Sequence, residues 1–215
     1  GYAAHKDRQM SPMVRDSNPV LLSSKRGREV WEAFNAGGEQ AMKAFGGLLA
    51  DVSAGVNPFA DIDMAGSVWP EFVKLADTYN QPGVFTAMTG FEWTSQPSGN
   101  NLHRIVVFAD GANKTSLVQP FSMFDSQDPA KLWDYMESYE TSTGGRVFAH
   151  VHNGNLSNGI AFTAATFDGT PMDAAYAARR ARWEPIMEIT QVKGDGETHP
   201  YLSPDDEFAD FERWD

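Results

Sequence analysis

The spacing of apolar residues predicts a helical region at the start of the chain. Helices are predicted over residues 25–35, 40–52 and 67–79, where apolar side chains recur every three or four positions. Ser67 has the residue type of an N-cap, and Tyr79 precedes the turn-forming run Asn-Gln-Pro-Gly. We therefore predict that residues 1–83 form a helical insertion or cover for the domain that follows.

From residue 84 onwards, short apolar runs alternate with helix-length segments. Strands are predicted over residues 84–94, 102–109, 147–151 and 185–192, and helices over 128–139 and 171–183. Strand–helix–strand alternation is typical of an α/β domain with at least some parallel pairing. The link 95–101 contains Pro, Gly and two Asn, which indicates a tight surface connection. Residues 84–215 are therefore predicted to be an α/β domain.

Composition narrows the range of partners and chemistries. The 215 residues carry a formal net charge of −12, so nucleic acid and anionic membranes are disfavoured as partners of the surface as a whole. No apolar run reaches the ~20 residues that a membrane-spanning helix needs. The chain has no cysteine, which excludes disulfides, thiolate catalysis and cysteine-based metal sites. An exported and a cytoplasmic location both stay open, as does the oligomeric state.

Metal-ligating side chains lie at the ends of the predicted strands. Glu92 lies near the end of the first strand, His103 near the start of the second, and His150 and His152 at the end of the third. Imidazole and carboxylate groups together suit Zn²⁺, Mn²⁺ or Fe²⁺. Residues 150 and 152 share one face of a strand, so both histidines could bind one ion. Alternatively, His152 binds while His150 is held by a hydrogen bond.

Structural interpretations of the same residues remain open. A single histidine at a strand end is more often hydrogen-bonded than ligating, and Glu92 could be a buried carboxylate that pairs with Arg104. The run 153–159 is rich in Gly and Asn, which suits either an ordinary turn or a backbone nest that holds an anion. The acidic stretch 181–215, with ten acidic and three basic residues, is most simply a solvated face.

Several unusual phrases are spread over nearly the whole chain. They include Gly90-Phe-Glu-Trp-Thr-Ser, Gly99-Asn-Asn-Leu-His-Arg, His152-Asn-Gly-Asn-Leu-Ser-Asn-Gly, Glu188-Ile-Thr-Gln-Val-Lys-Gly and Glu197-Thr-His-Pro. These phrases resemble the bacterial family known as domain of unknown function 3604. That family in turn is similar to the PHP superfamily, named for polymerase and histidinol phosphatase.

The resemblance implies a fold, a metal cluster and a set of ligands. The implied fold is part of a distorted (β/α)₇ barrel with a helical N-terminal insertion, and the metals lie at the carboxyl ends of the strands. Glu92 would bridge metals, while His103 and His152 would each bind one; His150 departs from the expected apolar residue. The superfamily's first two motifs and its last motif have no match here, so we expect the chain to be an internal fragment that retains metal weakly and has negligible turnover, while the longer parent protein would be the enzyme.

The implied function is metal-dependent hydrolysis of a small anionic phosphoester. Four further residues are candidates for contacts with an anionic substrate: Arg104, Asn153, Asn155 and Lys193. Glu197 and His199 are candidates for a catalytic proton-transfer pair or for further substrate contacts. Two alternatives remain, namely a non-catalytic ligand-binding module and hydrolysis of another bond, such as a cyclic amide or a sulfate ester. Convergence of Glu92, His103 and His152 on one point would favour the metal hypothesis.

Overall fold

The computed structural model describes residues 17–191, 194–195, 200–201, 204–205 and 207. The chain divides into two compact units, Gly1–Phe72 and Val73–Asp215. Among the described residues, no helix combines the length and the apolar character that crossing a membrane requires.

The first unit is helical, as its apolar spacing predicts. Its helices are α1 (Pro19–Ser23), α2 (Lys25–Ala36), α3 (Gly38–Ser53) and the first part of α4 (Met64–Tyr79). The predicted helices over 25–35 and 40–52 are confirmed to within two residues at each end. The predicted N-cap at Ser67 is wrong, because α4 begins at Met64 and the Asp63 carboxylate accepts a hydrogen bond from the Gly66 amide at 2.8 Å.

The core of the first unit lies between α2 and α3. Val30 and Phe34 are at most 4% exposed, and they pack against Phe45 and Leu48 of α3. Gly37 joins the two helices with φ 72°, a left-handed conformation that a residue without a Cβ adopts at little cost. The sharp link lets the two amphipathic helices bury their apolar stripes against each other.

Among its described residues, the second unit contains six short strands and three further helices. They are β1 (Thr89–Trp93), β2 (Arg104–Phe108), α5 (Ala112–Thr115), α6 (Pro129–Thr143), β3 (Val147–Val151), α7 (Ala174–Trp183), β4 (Ile186–Met187), β5 (Thr190–Gln191) and β6 (Gly194–Asp195). The predicted strand 147–151 is confirmed. The predicted strand 84–94 is shorter at its start, because Gln81 and Phe85 pair in a separate turn.

The main sheet is open and mixed, with strand order β1-β2-β3-β4. β1 pairs with β2 and β2 with β3 in antiparallel register, and only β3 and β4 are parallel. The predicted (β/α)₇ barrel is therefore wrong. A parallel pair needs a crossover of a dozen or more residues, usually with a helix, whereas β1 and β2 are joined by a short link with a single 3₁₀ turn, Pro97–Gly99.

The two faces of the sheet differ in burial. Val106, Phe108 and Ala149 lie on one face and are fully buried, and the Phe108 ring contacts that of Tyr139 on α6 at a centroid distance of 4.8 Å. The opposite face carries Glu92, Ile105 and His150, which lie directly across from one another in the register. This second face, called the open face below, is only partly buried at Ile105 and His150.

Candidate metal centre

The three candidate ligands lie at one end of the open face. Glu92 is the fourth residue of β1, His103 directly precedes β2, and His152 directly follows β3. Extending the ladder by one step beyond Arg104 and Val151 places His103 opposite His152. Side chains alternate between faces, so all three residues fall on the face of Ile105 and away from Arg104.

Both imidazoles approach the same oxygen of Glu92. Nδ1 of His103 lies 3.0 Å from Oε1 of Glu92, and Nε2 of His152 lies 3.1 Å from that oxygen. One ligand atom from each residue lies within 4.8 Å of both others. Donors that each lie about 2.0–2.2 Å from one ion are a little over 3 Å apart. The distances of 3.0 and 3.1 Å from the Glu92 oxygen to the two histidine nitrogens are close to that spacing, so the three residues fit a single cation.

The electrostatics favour an ionised carboxylate at this position. The imidazole of His103, and then that of His152, hold the pKa of the Glu92 carboxyl well below its usual range, although partial burial acts in the opposite direction. The Glu92 side chain is 43% exposed, whereas the two histidines are 10% and 11% exposed. A charged oxygen between two shielded imidazoles is suited to binding a divalent cation.

Several imidazole nitrogens of this cluster lack partners. Within the described part of the chain, both ring nitrogens of His103 and Nδ1 of His152 are buried without a partner in hydrogen-bond geometry. Nδ1 of His103 is close to Glu92 but is not aligned with it as a hydrogen-bond donor. Buried polar nitrogens normally have partners, and a metal ligand is one way to satisfy such an atom. The donor set therefore fits Zn²⁺, Mn²⁺ or Fe²⁺.

His150 lies beside this cluster but outside it. Its ring centroid is 6.3 Å from that of His152, whereas His103 and His152 are 5.6 Å apart. The residues whose ligand atoms converge are Glu92, His103 and His152. His150 is therefore not part of the converging set of ligand atoms, although it lies on the same face of the sheet.

The loop after His152 is fixed by a hydrogen-bond network. Asn153 is 2% exposed and adopts φ 56°, and its amide donates to Oε2 of Glu188 at 2.9 Å. Nε2 of Gln191 donates to Oδ1 of Asn153 at 2.6 Å. The backbone amide and the side-chain oxygen of Asn153 are therefore used by the protein itself, and Glu188 helps to position the residue that follows the ligand His152.

The run 153–159 forms a hydrogen-bonded turn. It contains the 3₁₀ turn Gly154–Leu156, in which the amides of Leu156 and Ser157 donate to backbone carbonyls three residues earlier. These amides are not turned outward as an anion-binding nest would require, which favours the ordinary turn. Asn155 is exposed on this turn.

Three predicted residues, Lys193, Glu197 and His199, lie outside the described residues.

Arg104 lies on the buried face and is paired with Glu184. Its Nε donates to Oε1 of Glu184 at 3.0 Å, and both side chains are 2% exposed. Glu184 also accepts a hydrogen bond from the Trp133 indole at 2.9 Å. The alternative in which Glu92 pairs with Arg104 is wrong, because the two side chains leave opposite faces of the sheet.

Glu184 and Glu188 have structural roles that sequence reasoning missed. Glu184 precedes Pro185 and pairs with Arg104, which lies eighty positions earlier in the chain. Such a long-range pair leaves no local pattern. Glu188 alternates with Ile186 in a predicted strand, and that parity would have placed it on the open face beside His150, the register partner of Ile186.

These observations define an α/β protein with a histidine–carboxylate cluster at the edge of an open sheet. The family described as "Protein of unknown function (DUF3604)" matches residues 9–215, and the chain belongs to this family. No curated protein and no solved structure gives a significant match to the chain.

Proposed function

We propose that Glu92, His103 and His152 hold a divalent cation and that the protein uses it to hydrolyse a small phosphoester. The convergence of the three ligand atoms within 4.8 Å is the observation that carries this proposal. Zn²⁺, Mn²⁺ and Fe²⁺ all accept two imidazoles and a carboxylate. When bound, such a cation activates water and offsets charge on a phosphoryl group.

The protein's own groups supply the positioning. Glu92 is kept ionised, and the two histidines are held by the ends of adjacent strands, so the donors need little rearrangement. The hydrogen bond from the Asn153 amide to Glu188 fixes the chain after His152. His150 lies within reach of a group bound above the cluster, where an imidazole can donate or accept a proton.

The choice of a phosphoester follows from the resemblance to the PHP superfamily, whose characterised members mostly act on such bonds. That resemblance also implies ligands beyond these three, so we propose that the cation is held weakly. Asn155 is exposed on the turn after His152 and is proposed to contact the substrate, together with Lys193, Glu197 and His199. Arg104 pairs with Glu184 on the buried face of the sheet, so we do not propose that it contacts a substrate on the open face.

A second candidate rests on the two contact distances. Separations of 3.0 and 3.1 Å are also those of protonated histidines that pair directly with a carboxylate. In that case the cluster is an ion-pair network in a non-catalytic ligand-binding module. The pKa shift of Glu92 is common to both candidates, so only metal binding separates them.

The test combines metal analysis with a panel of phosphoesters. The purified full-length protein is loaded with Zn²⁺, Mn²⁺ or Fe²⁺ in turn and assayed with and without chelator. The proposal predicts hydrolysis that chelation abolishes, that metal restores, and that the Glu92→Gln variant lacks. Metal binding without turnover of any ester would leave the site but refute the reaction. Turnover that is insensitive to chelator would refute both.

A further inference from the structure

A cavity of about 330 Å³ lies on the buried side of the sheet in the second unit. Its floor is formed by buried side chains, among them Leu102, Arg104 and Trp133. Its walls come from the β1–β2 link, α7 and the long loop between β3 and α7. The volume is in the range of ligand pockets, which is roughly 300–1,000 Å³.

The charge of this cavity is opposite to that of the chain. Arg104 and Arg180 contribute to the lining, and no acidic residue does so among the described residues. The net charge of the whole chain is −12. Glu184 lies behind the floor, where its carboxylate pairs with both guanidinium groups, so two positive charges share one carboxylate. The cavity therefore has a local excess of positive charge.

Arg180 presents donors that the protein does not use. Its Nη2 donates to the carbonyl of Ala161 at 2.7 Å, and its Nε lies 3.4 Å from Oε2 of Glu184. Its Nη1 has no hydrogen-bond partner among the described residues, and its side chain is 26% exposed. Ser98 and Asn100 line the same cavity; Ser98 offers a hydroxyl, while one N–H of the Asn100 side-chain amide already donates to the Pro97 carbonyl at 3.2 Å. A guanidinium flanked by such groups matches a carboxylate or a phosphate.

Aromatic side chains contribute to the lining of this cavity. Phe167 is 45% exposed, and Tyr176 of α7 is partly buried in the same lining. Phe167 sits on a hairpin that is closed by the hydrogen bonds from the Thr166 amide to Thr170 and from the Gly169 amide to Thr166. An exposed aromatic ring on an ordered hairpin favours a partner with an apolar, ring-shaped body.

This cavity is separate from the histidine cluster. Arg104 and His103 are consecutive in the chain, so their side chains leave opposite faces of the sheet. A ligand here would therefore bind whether or not Glu92, His103 and His152 hold a cation. We propose that the cavity binds a small aromatic molecule that carries one carboxylate or phosphate group, with Arg180 as the main contact to that group.

The proposal is tested by calorimetric titration of the whole chain in the presence of EDTA, which prevents binding through a metal. The probes are phenylphosphonate, phenylacetate and neutral benzyl alcohol. One or both anionic probes should bind saturably at one site, about tenfold or more tightly than benzyl alcohol. The tighter of the two anions identifies the preferred oxyanion.

Two variants of α7 form a matched pair. Arg180→Gln should weaken the preferred probe by about tenfold or more, whereas Arg182→Gln should change it by less than about twofold. Arg182 pairs with Glu140 and stacks on Trp183, outside the cavity. Ala165→Phe keeps both cavity arginines but fills the space, and it should also abolish binding. Spectra that match the wild type show that each variant is folded.

Three results would overturn the proposal. The first is no saturable binding of either anion to the wild type. The second is equal weakening by Arg180→Gln and Arg182→Gln, which would indicate a general charge effect. The third is benzyl alcohol binding as tightly as the anions, which would indicate an apolar cavity without an anion site.

Discussion

Glu92 lies on β1 and His152 directly follows β3, and these two strands are not neighbours in the sheet, yet Nε2 of His152 is 3.1 Å from Oε1 of Glu92. The strand between them, β2, begins with Arg104, so His103 lies just before it and completes the cluster from the middle. The three residues meet because each is near a strand end and shares one face. This geometry links the fold to the proposed cation.

Separate substitutions of His150 and His152 should show which of the two histidines binds the cation. His152→Ala should lower the affinity for Zn²⁺ by about a hundredfold or more, because a direct donor is lost. His150→Ala should leave that affinity within about threefold, because the ligand atoms that converge are those of Glu92, His103 and His152. Competition with a chromogenic chelator measures both. Equal losses in the two variants would place His150 among the ligands.

Glu188 should affect the affinity for the cation only through the hydrogen bond that it accepts from the Asn153 backbone amide. Glu188→Ala removes the acceptor of the Asn153 amide and should weaken Zn²⁺ binding by about tenfold. Glu188→Gln keeps an oxygen acceptor at that position and should restore most of the affinity. If Gln failed to rescue where Ala weakened binding, the charge of Glu188 would matter rather than its hydrogen bond.

The pair between Arg104 and Glu184 should matter for stability. Glu184→Gln leaves a guanidinium that is 2% exposed without a charged partner, so the free energy of unfolding should fall by about 3–5 kcal/mol. Urea denaturation measures this change. The control is Glu137→Gln, whose carboxylate is 64% exposed and 3.6 Å from Arg179; it should cost about 1 kcal/mol or less. Similar costs for the two variants would contradict the structural role of the buried pair.

Asp110 should give the stability of the protein a defined pH dependence. Burial raises the pKa of Asp110, but hydrogen bonds from the Arg146 amide, Lys114 and Tyr139 outweigh it, and the net shift is downward. A lowered pKa in the folded state stabilises the protein above the unfolded pKa of about 4, and that stability is lost as the pH falls through the folded value.

Comparison with the Asp110→Asn variant isolates this contribution. The wild type should exceed the variant in unfolding free energy by a constant amount above about pH 5, and the difference should shrink below about pH 4. Urea denaturation at several pH values measures it. A difference that grew as the pH fell would reverse the sign and contradict the hydrogen-bond assignment.

The sequence could indicate candidate ligands, whereas it could not show whether the strands close into a barrel. Glu92, His103, His150 and His152 are all candidates by their positions near strand ends, and only the family resemblance implied the set without His150. The apolar runs of β1, β2 and β3 look the same whether strands pair in parallel or antiparallel. Only the short link 94–103 carries information on this point, since it leaves no room for a crossover helix.

Arg104 shows a second limit of sequence reasoning. Its position next to His103 suggests a place in the same site, but the period of two along a strand sends it to the buried face. There it meets Glu184 and contributes to the floor of the arginine-lined cavity. Which residues share a site therefore depended on strand parity, and the partner of Arg104 depended on contacts that form only in the folded chain.

Titration of the metal-free protein with Zn²⁺, in parallel with the Glu92→Gln variant, tests the central claim most directly. Gln keeps the size of the side chain but removes the charge between the two histidines. We predict binding of one Zn²⁺ per chain to the wild type and a loss of affinity of about tenfold or more in the variant. Equal affinity in both proteins, or no binding to either, would contradict the assignment of Glu92, His103 and His152 as a metal centre.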